Sequence, residues 1–231
     1  MKINSIKSRY NCQNQSKNNF KAREFATVKT VLKDGVQSLK IYEVNEDDTK
    51  FLDVMSQKIN LKKLIDINAT KKQLLQWKNI INNTIMMTNF NEPQRSFLMT
   101  KNNRPCALMT FKDIQADSYI DYLASWPIAP HKKVKLAGTT MLKTLFEYAE
   151  IKNTQRISLS TAANSLVDLV KYYEKMNFVK NYSNNIYEPD MVVTRDKFLE
   201  KSKELDEIIK VSFVKNPETV NLKNVLDLKY Q

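Results

Sequence analysis

The chain has 231 residues, 42% of them apolar and 10% aromatic, and sets 37 Lys and Arg against 25 Asp and Glu for a net charge of +12. That is enough apolar matter for one sizeable core, and no stretch approaches the roughly 18 consecutive apolar residues of a spanning helix, so no membrane span is expected. The positive charge suits a polyphosphate ligand, a nucleic acid or an anionic surface, but the lysines are spread along the chain rather than gathered, which weighs against a nucleic-acid face.

Residues 1–36 are rich in Asn, Lys, Ser and Gln, lack apolar periodicity, and are expected to be a flexible polar tail with no apolar run of the secretory kind. Cys12 and Cys106 stand alone, too few for a disulfide framework or a metal site, so a reduced, cytoplasmic protein without a metal is expected. Order is expected to begin with a strand at 38–44, followed by a helix over "NEDDTKFLDVMSQKI", with Asp47 or Asp48 as its cap. Leu74, Trp77, Ile81 and Ile85 recur at helical spacing and predict a second helix over 70–87. The period then shortens. Apolar runs at 96–100 and 106–111, split by Asn102-Asn103-Arg104-Pro105, predict a hairpin. A further strand is predicted at 118–129, a helix at 138–152, a strand at 156–162 and a helix at 164–176. Two short strands, "FVKNYSN" and "DMVVTRD", come next, and residues 197–231 read as a helical extension. Strands and helices mixed in this way imply an α+β or α/β-like sheet with helices on both faces.

Only two glycines occur, and one of them, Gly138, opens the helix at 138–152. The first N–H groups of a helix have no intrahelical partner and carry partial positive charge, so helix N-termini attract phosphates. A glycine there lets a ligand approach the backbone. Lys132, Lys133 and Lys135 add charge, Ala137 is small, and Thr139 and Thr140 bring hydroxyls. The stretch is therefore a candidate diphosphate cradle. An ordinary strand-to-helix loop with solvated lysines reads the same residues.

The element order, the loop Lys135-Leu136-Ala137-Gly138-Thr139-Thr140, and Asn164 followed by Tyr172-Tyr173-Glu174-Lys175-Met176-Asn177-Phe178 together resemble the GNAT family of acetyl-coenzyme A-dependent N-acetyltransferases. The first pattern corresponds to the family's Gln/Arg-x-x-Gly-x-Gly/Ala loop, with Lys135 and Thr140 as departures. The second corresponds to its helix ending in Tyr-Glu-Lys-Leu-Gly-Phe, with Asn177 in place of Gly. The resemblance spans about 38–195 in element order and implies a domain over 37–196. Its central sheet is mixed and mostly antiparallel, with the strands at 118–126 and 156–162 splayed.

The resemblance further implies that acetyl-CoA is the cosubstrate. Leu123, Ala124, Ser125 and Trp126 would pair with the pantetheine arm, the backbone of Lys135–Thr140 would hold the diphosphate, and Asn164 would bond the pantetheine or cap its helix. A primary amine would attack the thioester directly, with Tyr173 protonating the leaving thiolate and Tyr172 packing inward. Without the resemblance, Tyr173 reads as a core aromatic. No general base is legible: His131 sits in the loop, Asp117 and Asp121 are weak candidates, and Trp77, Glu92 and Tyr182–Tyr187 form no recognisable acceptor motif. The acceptor, a small molecule or a protein amine, is not named by the residues, and the chain is expected to be a monomer or homodimer. The alternatives are a catalytically degenerate GNAT-like binding module, suggested by Thr140, and a basic nucleic-acid- or ribosome-associated protein, suggested by the charge.

Overall fold

The computed structural model describes residues 22–57, 71–88, 94–125, 134–162, 168–181 and 189–226, apart from the side chains of Gln73, Leu74 and Trp77. β1 (Ala22–Leu32) and β2 (Gly35–Val44) pair antiparallel around a turn at Lys33 and Asp34. Gly35 sits at φ 129°, a conformation that only glycine adopts without strain. α1 (Glu46–Gln57) opens with a reciprocal cap. Asn45 Oδ1 accepts from Asp47 N at 2.9 Å, while the Asp48 carboxylate accepts from Asn45 N at 3.2 Å. The cap is therefore Asn45, and Asp48 is its returning partner.

α2 (Lys71–Met87) follows, then β3 (Gln94–Lys101) and β4 (Arg104–Ile114). Asn102 and Asn103 turn this hairpin at φ 48° and 61°, the left-handed pair a two-residue turn requires. β5 (Asp117–Ser125), α3 (Ala137–Ile151), β6 (Arg156–Ser160) and α4 (Leu169–Glu174) come next. β7 (Val179–Asn181), β8 (Asp190–Thr194), α5 (Arg195–Leu205), β9 (Ile209–Phe213), β10 (Thr219–Val220) and α6 (Leu222–Val225) complete the order.

All ten strands join one sheet in the order β10-β1-β2-β3-β4-β5-β6-β8-β7, with β9 beside β10 on the outer edge of β1. Every pairing is antiparallel except β5 with β6, which α3 connects. Alternation along each strand sends side chains to two cores. Tyr42, Leu98 and Leu108 meet α1 and α2 through Phe51, Leu52, Met55, Ile81 and Ile85. Phe97, Met99 and Phe111 meet α3 and α5 through Met141, Leu145, Phe146 and Phe198. The mixed, largely antiparallel sheet with helices on both faces is the fold class the sequence predicts.

Two boundaries differ from expectation. Residues 22–36 are not tail: Ala26 and Val28 in β1 are 0% and 1% exposed, between β2 on one side and β9 on the other. Residues past 196 are not a separate helical extension. Phe198 of α5 lies in the core, and β9 continues the sheet. Lys143 of α3 fastens this segment down. It is 1% exposed, and its Nζ donates to Ser202 Oγ (2.7 Å) and Asp206 Oδ1 (2.8 Å) and pairs with Glu147 Oε1 (2.6 Å). Removing one partner of such a buried pair typically costs about 3–5 kcal/mol.

β1 lacked a legible pattern because its flanks, β2 and β9, come from distant parts of the chain and its outward residues are polar. Deleting residues 1–36 takes a central strand out of the sheet, and the product is expected to lose its cooperative thermal transition. A truncated chain that melts like the full-length protein by circular dichroism would refute the placement of β1.

Candidate active site

β5 and β6 pair over four residues only, Asp117↔Arg156 to Ile120↔Leu159. β5 then runs on to Ser125 against β4, with Met109↔Leu123, Leu108↔Ala124 and Ala107↔Ser125 in register. The divergence has a local cause. Phe111 faces Ile120 and Thr110 faces Tyr122, so Asp121 is an extra residue, a β-bulge that bends its strand. The result is a fork between β5 and β6, with the β6-facing main-chain edge of Leu123 and Ala124 outside the ladder. Tyr119 Oη and Ser160 Oγ, 3.0 Å apart, bridge the two strands at its closed end.

α3 starts beyond the open end of the fork. Leu136 takes φ 59° at its N-cap, no side chain caps the helix, and the first intrahelical bond runs from Thr140 N to Leu136 O at 2.8 Å. The N–H groups of Ala137, Gly138 and Thr139 precede that bond and have no intrahelical acceptor. Thr140 does not obstruct them. It is 0% exposed and turned into the core, where its hydroxyl has no partner among the described residues. Lys135 is directed elsewhere: its Nζ pairs with Asp34 Oδ2 at 2.9 Å. Its carbonyl accepts from Gln37 Nε2 at 2.9 Å, so Gln37 of β2, 4% exposed, fixes the approach to α3. That buried glutamine carried no sequence signal, because its partner lies almost a hundred residues away.

Gly138 has a steric reason to be glycine. A Cβ built there would lie 2.9 Å from Tyr172 Oη and 3.6 Å from its ring carbon Cζ. The Tyr172 hydroxyl is buried without a hydrogen-bond partner among the described residues, and burial pushes its pKa up to about 12. Of the two neighbouring phenols, it is therefore Tyr172 that reaches the first turn of α3. Tyr173, expected to face the splayed strands, is 6% exposed in the main core, edge-on to Phe178 with centroids 5.5 Å apart. Burial raises its pKa as well. α4 is capped by Asp168, which accepts from Lys171 N at 3.0 Å, and Asn177 ends the turn after it at φ 64°, the left-handed conformation its residue type allows. Among the remaining sequence candidates, Trp126, His131, Lys132, Lys133, Asn164, Glu92 and Tyr182–Tyr187 lie outside the described residues.

Asp117 is tied to Arg156 at 2.6 Å at the closed end of the ladder, away from the fork. Asp121 lies at the bulge itself, its side chain 10% exposed, accepting from Gln94 Nε2 (3.0 Å) and paired with Lys112 Nζ (3.1 Å). Cys106 donates to Met99 O at 3.2 Å, and burial pushes its pKa up to about 12, so it is no nucleophile at neutral pH.

The strand order, the bulged and forked pair and the uncapped helix at its open end make this a fold of the GNAT type. No protein-family model and no curated protein matches the chain. Among solved structures it is similar to the PaiA N-acetyltransferase of Thermoplasma acidophilum in complex with coenzyme A, at 15% identity over 68% of this chain and 98% of that one, TM-score 0.46. It is similar to spermidine N-acetyltransferase of Vibrio cholerae at 16% identity, 71% and 98% coverage, TM-score 0.46. The ribosomal-protein-S18-alanine N-acetyltransferase of Escherichia coli matches at 14%, 67% and 90%, TM-score 0.42.

The contact at Gly138 sets two effects of opposite sign against each other. Helix propensity favours Ala over Gly by about 0.8–1.0 kcal/mol, whereas forcing a methyl into a filled space costs about 1–3 kcal/mol. Gly138→Ala is expected to lower stability in urea unfolding. In the Tyr172→Phe background, where the hydroxyl is gone, the same change is expected to raise it. An equal effect in both backgrounds would rule out the contact.

Proposed function

We propose that the protein is an N-acyltransferase that moves an acetyl group from acetyl-CoA to a primary amine. The observation carrying this reading is the fork between β5 and β6 with the uncapped N-terminus of α3 at its open end. An extended thiol-bearing arm can add to the free edge of β5, as strands do, while its diphosphate meets the N–H groups of Ala137–Thr139 and the helix dipole. The net charge of +12 favours approach of so anionic a cosubstrate. No metal or redox group is needed for the reaction proposed.

In this reading the backbone of Leu123–Ser125 orients the arm, and the α3 amides fix its far end. Tyr173 is the proton donor to the departing thiolate, an assignment supported by the Tyr-Glu-Lys-Met-Asn-Phe motif. Its burial keeps the phenol protonated until a strong base, the thiolate, forms beside it. Tyr172 supports the floor of the diphosphate cradle through its contact with Gly138.

Calorimetric titration with acetyl-CoA is expected to show saturable binding, weakened at least tenfold, or about 1.4 kcal/mol, by Gly138→Glu, which places a carboxylate against the phosphates. Unchanged affinity would overturn the cradle. Once an acceptor is in hand, Tyr173→Phe is expected to lower kcat by about 10²-fold, the lower range for a general acid, with the Kd for acetyl-CoA retained. A comparable loss in Tyr172→Phe alone would move the acid role one residue along α4.

A further inference from the structure

One face of the sheet near the fork is polar in a way that packing does not explain. On the α1/α2 side, Leu98, Leu108 and Ala124 form the apolar half of the surface. Continuing along the same strands at two-residue steps, that face reads Ser96 and Gln94 on β3 and Thr110 and Lys112 on β4. The Ser96 and Thr110 hydroxyls, in residues 2% and 0% exposed, have no hydrogen-bond partner among the described residues. Buried hydroxyls without partners are uncommon, because each forfeits about 1–3 kcal/mol of solvation. Beside them, at the bulge, stands Asp121, with Gln94 and Lys112 as its partners. The Lys112 ammonium also lies 5.7 Å from the centre of the Tyr119 ring, so it is shared between a carboxylate and an aromatic face, a setting made for a cation.

We propose that this surface is the acceptor site, and that Asp121 receives a compact primary ammonium there, exchanging its internal partner Lys112 for the substrate, and acts as general base. The proposal rests on the acyltransferase reading. Asp121 is one residue past the last β5–β6 pair, at the apex of the fork, where the thioester of an arm lying along β5 meets the α1/α2 face. The charged and polar groups facing it are Lys112 from β4 and Gln94 from β3, with Tyr119 of its own strand beyond Lys112. The acceptor arrives as R–NH3+ and gives one proton to the Asp121 carboxylate, which passes it to solvent. The freed lone pair forms the C–N bond at the thioester carbonyl carbon, and the C–S bond breaks with its electron pair leaving on sulfur. The second proton lost by nitrogen makes good the one delivered to the thiolate. The products are an amide, a free thiol and one proton in solution.

The test uses the full chain, with acetyl-CoA binding followed by calorimetry and thiol release followed with two acceptors of like shape. Benzylamine is an ammonium ion at neutral pH, and phenylhydrazine is neutral. The wild-type protein is expected to acetylate both. Asp121→Asn, which keeps an oxygen for Gln94, is expected to lower kcat/KM for benzylamine by about 10²-fold, in the range of a lost general base. For phenylhydrazine the loss should be less than about threefold, with the Kd for acetyl-CoA unchanged. Lys112→Met removes the internal competitor and is expected to lower the KM for benzylamine. Equal losses with both acceptors, or a Lys112→Met variant as impaired as Asp121→Asn, would show that the pair only supports the strand and would overturn the proposal. Wild-type protein that binds acetyl-CoA yet acetylates neither probe would also overturn it while leaving the cosubstrate site standing. Protein that fails to bind acetyl-CoA would overturn the acyltransferase reading and this inference with it.

Discussion

One surplus residue in β5 shapes the site. Asp121 has no counterpart on β4, and the strand bends to accommodate it. Without the bulge, β5 and β6 could extend their ladder beyond Ile120 and Leu159, and the sheet would close. With it, the strands part, and the edge of β5 is left for a ligand. The same residue brings a carboxylate to the apex of the opening, so the device that creates the cleft also supplies its most buried acid.

A fork in the middle of a sheet is a weakness, because the ladder across it is short, and the molecule compensates on both sides. The β1–β4 half is clamped by Arg95, whose guanidinium donates to Glu43 Oε1 (Nε 2.9 Å, Nη2 2.5 Å) and to Tyr148 Oη. Tyr148 in turn donates to Asp113 Oδ2 at 2.8 Å, and the Tyr148 ring sits 4.7 Å below the guanidinium carbon. That chain ties β2, β3 and β4 to the C-terminal half of α3. Lys143 ties the same helix to α5. α3 is thus fastened along its length, which leaves its first turn, pinned only by Gln37 and Tyr172, as a rigid platform with unsatisfied amides.

The two glycines illustrate how far a sequence can be read. Gly35 answers to conformation, since its φ of 129° admits little else. Gly138 answers to space, and the space is taken by Tyr172 from another helix. Reading Gly138 as a residue kept for close approach found the right position with an incomplete reason: the approaching group in the structure is a phenol, and any ligand lies on the other side of it. The same limit applies to Tyr172 and Tyr173. The motif identifies the pair, but which one faces α3 depends on how a six-residue helix is rotated in its seat, and adjacent aromatic residues give no periodic signal to decide it.

The sequence by itself determined the elements whose signals are local. Alternation in 94–114 gave the central hairpin, and Asn102 and Asn103 gave its turn. Spacing gave α2 and α3, and the Tyr-Glu-Lys-Met-Asn-Phe run gave the end of α4 with its left-handed asparagine. Each of these depends on neighbours within a few residues, where side-chain period and backbone preference act directly. Only the tertiary structure decided that residues 22–32 are a strand, that β9 returns to pair with it, that Lys135 turns to Asp34, and that Asp121 is a bulge at the mouth of a fork. Those facts depend on partners tens to almost two hundred residues away. A strand that is polar on its outer face, or a residue that is extra only relative to its neighbour, leaves no mark in the chain until that neighbour is in place.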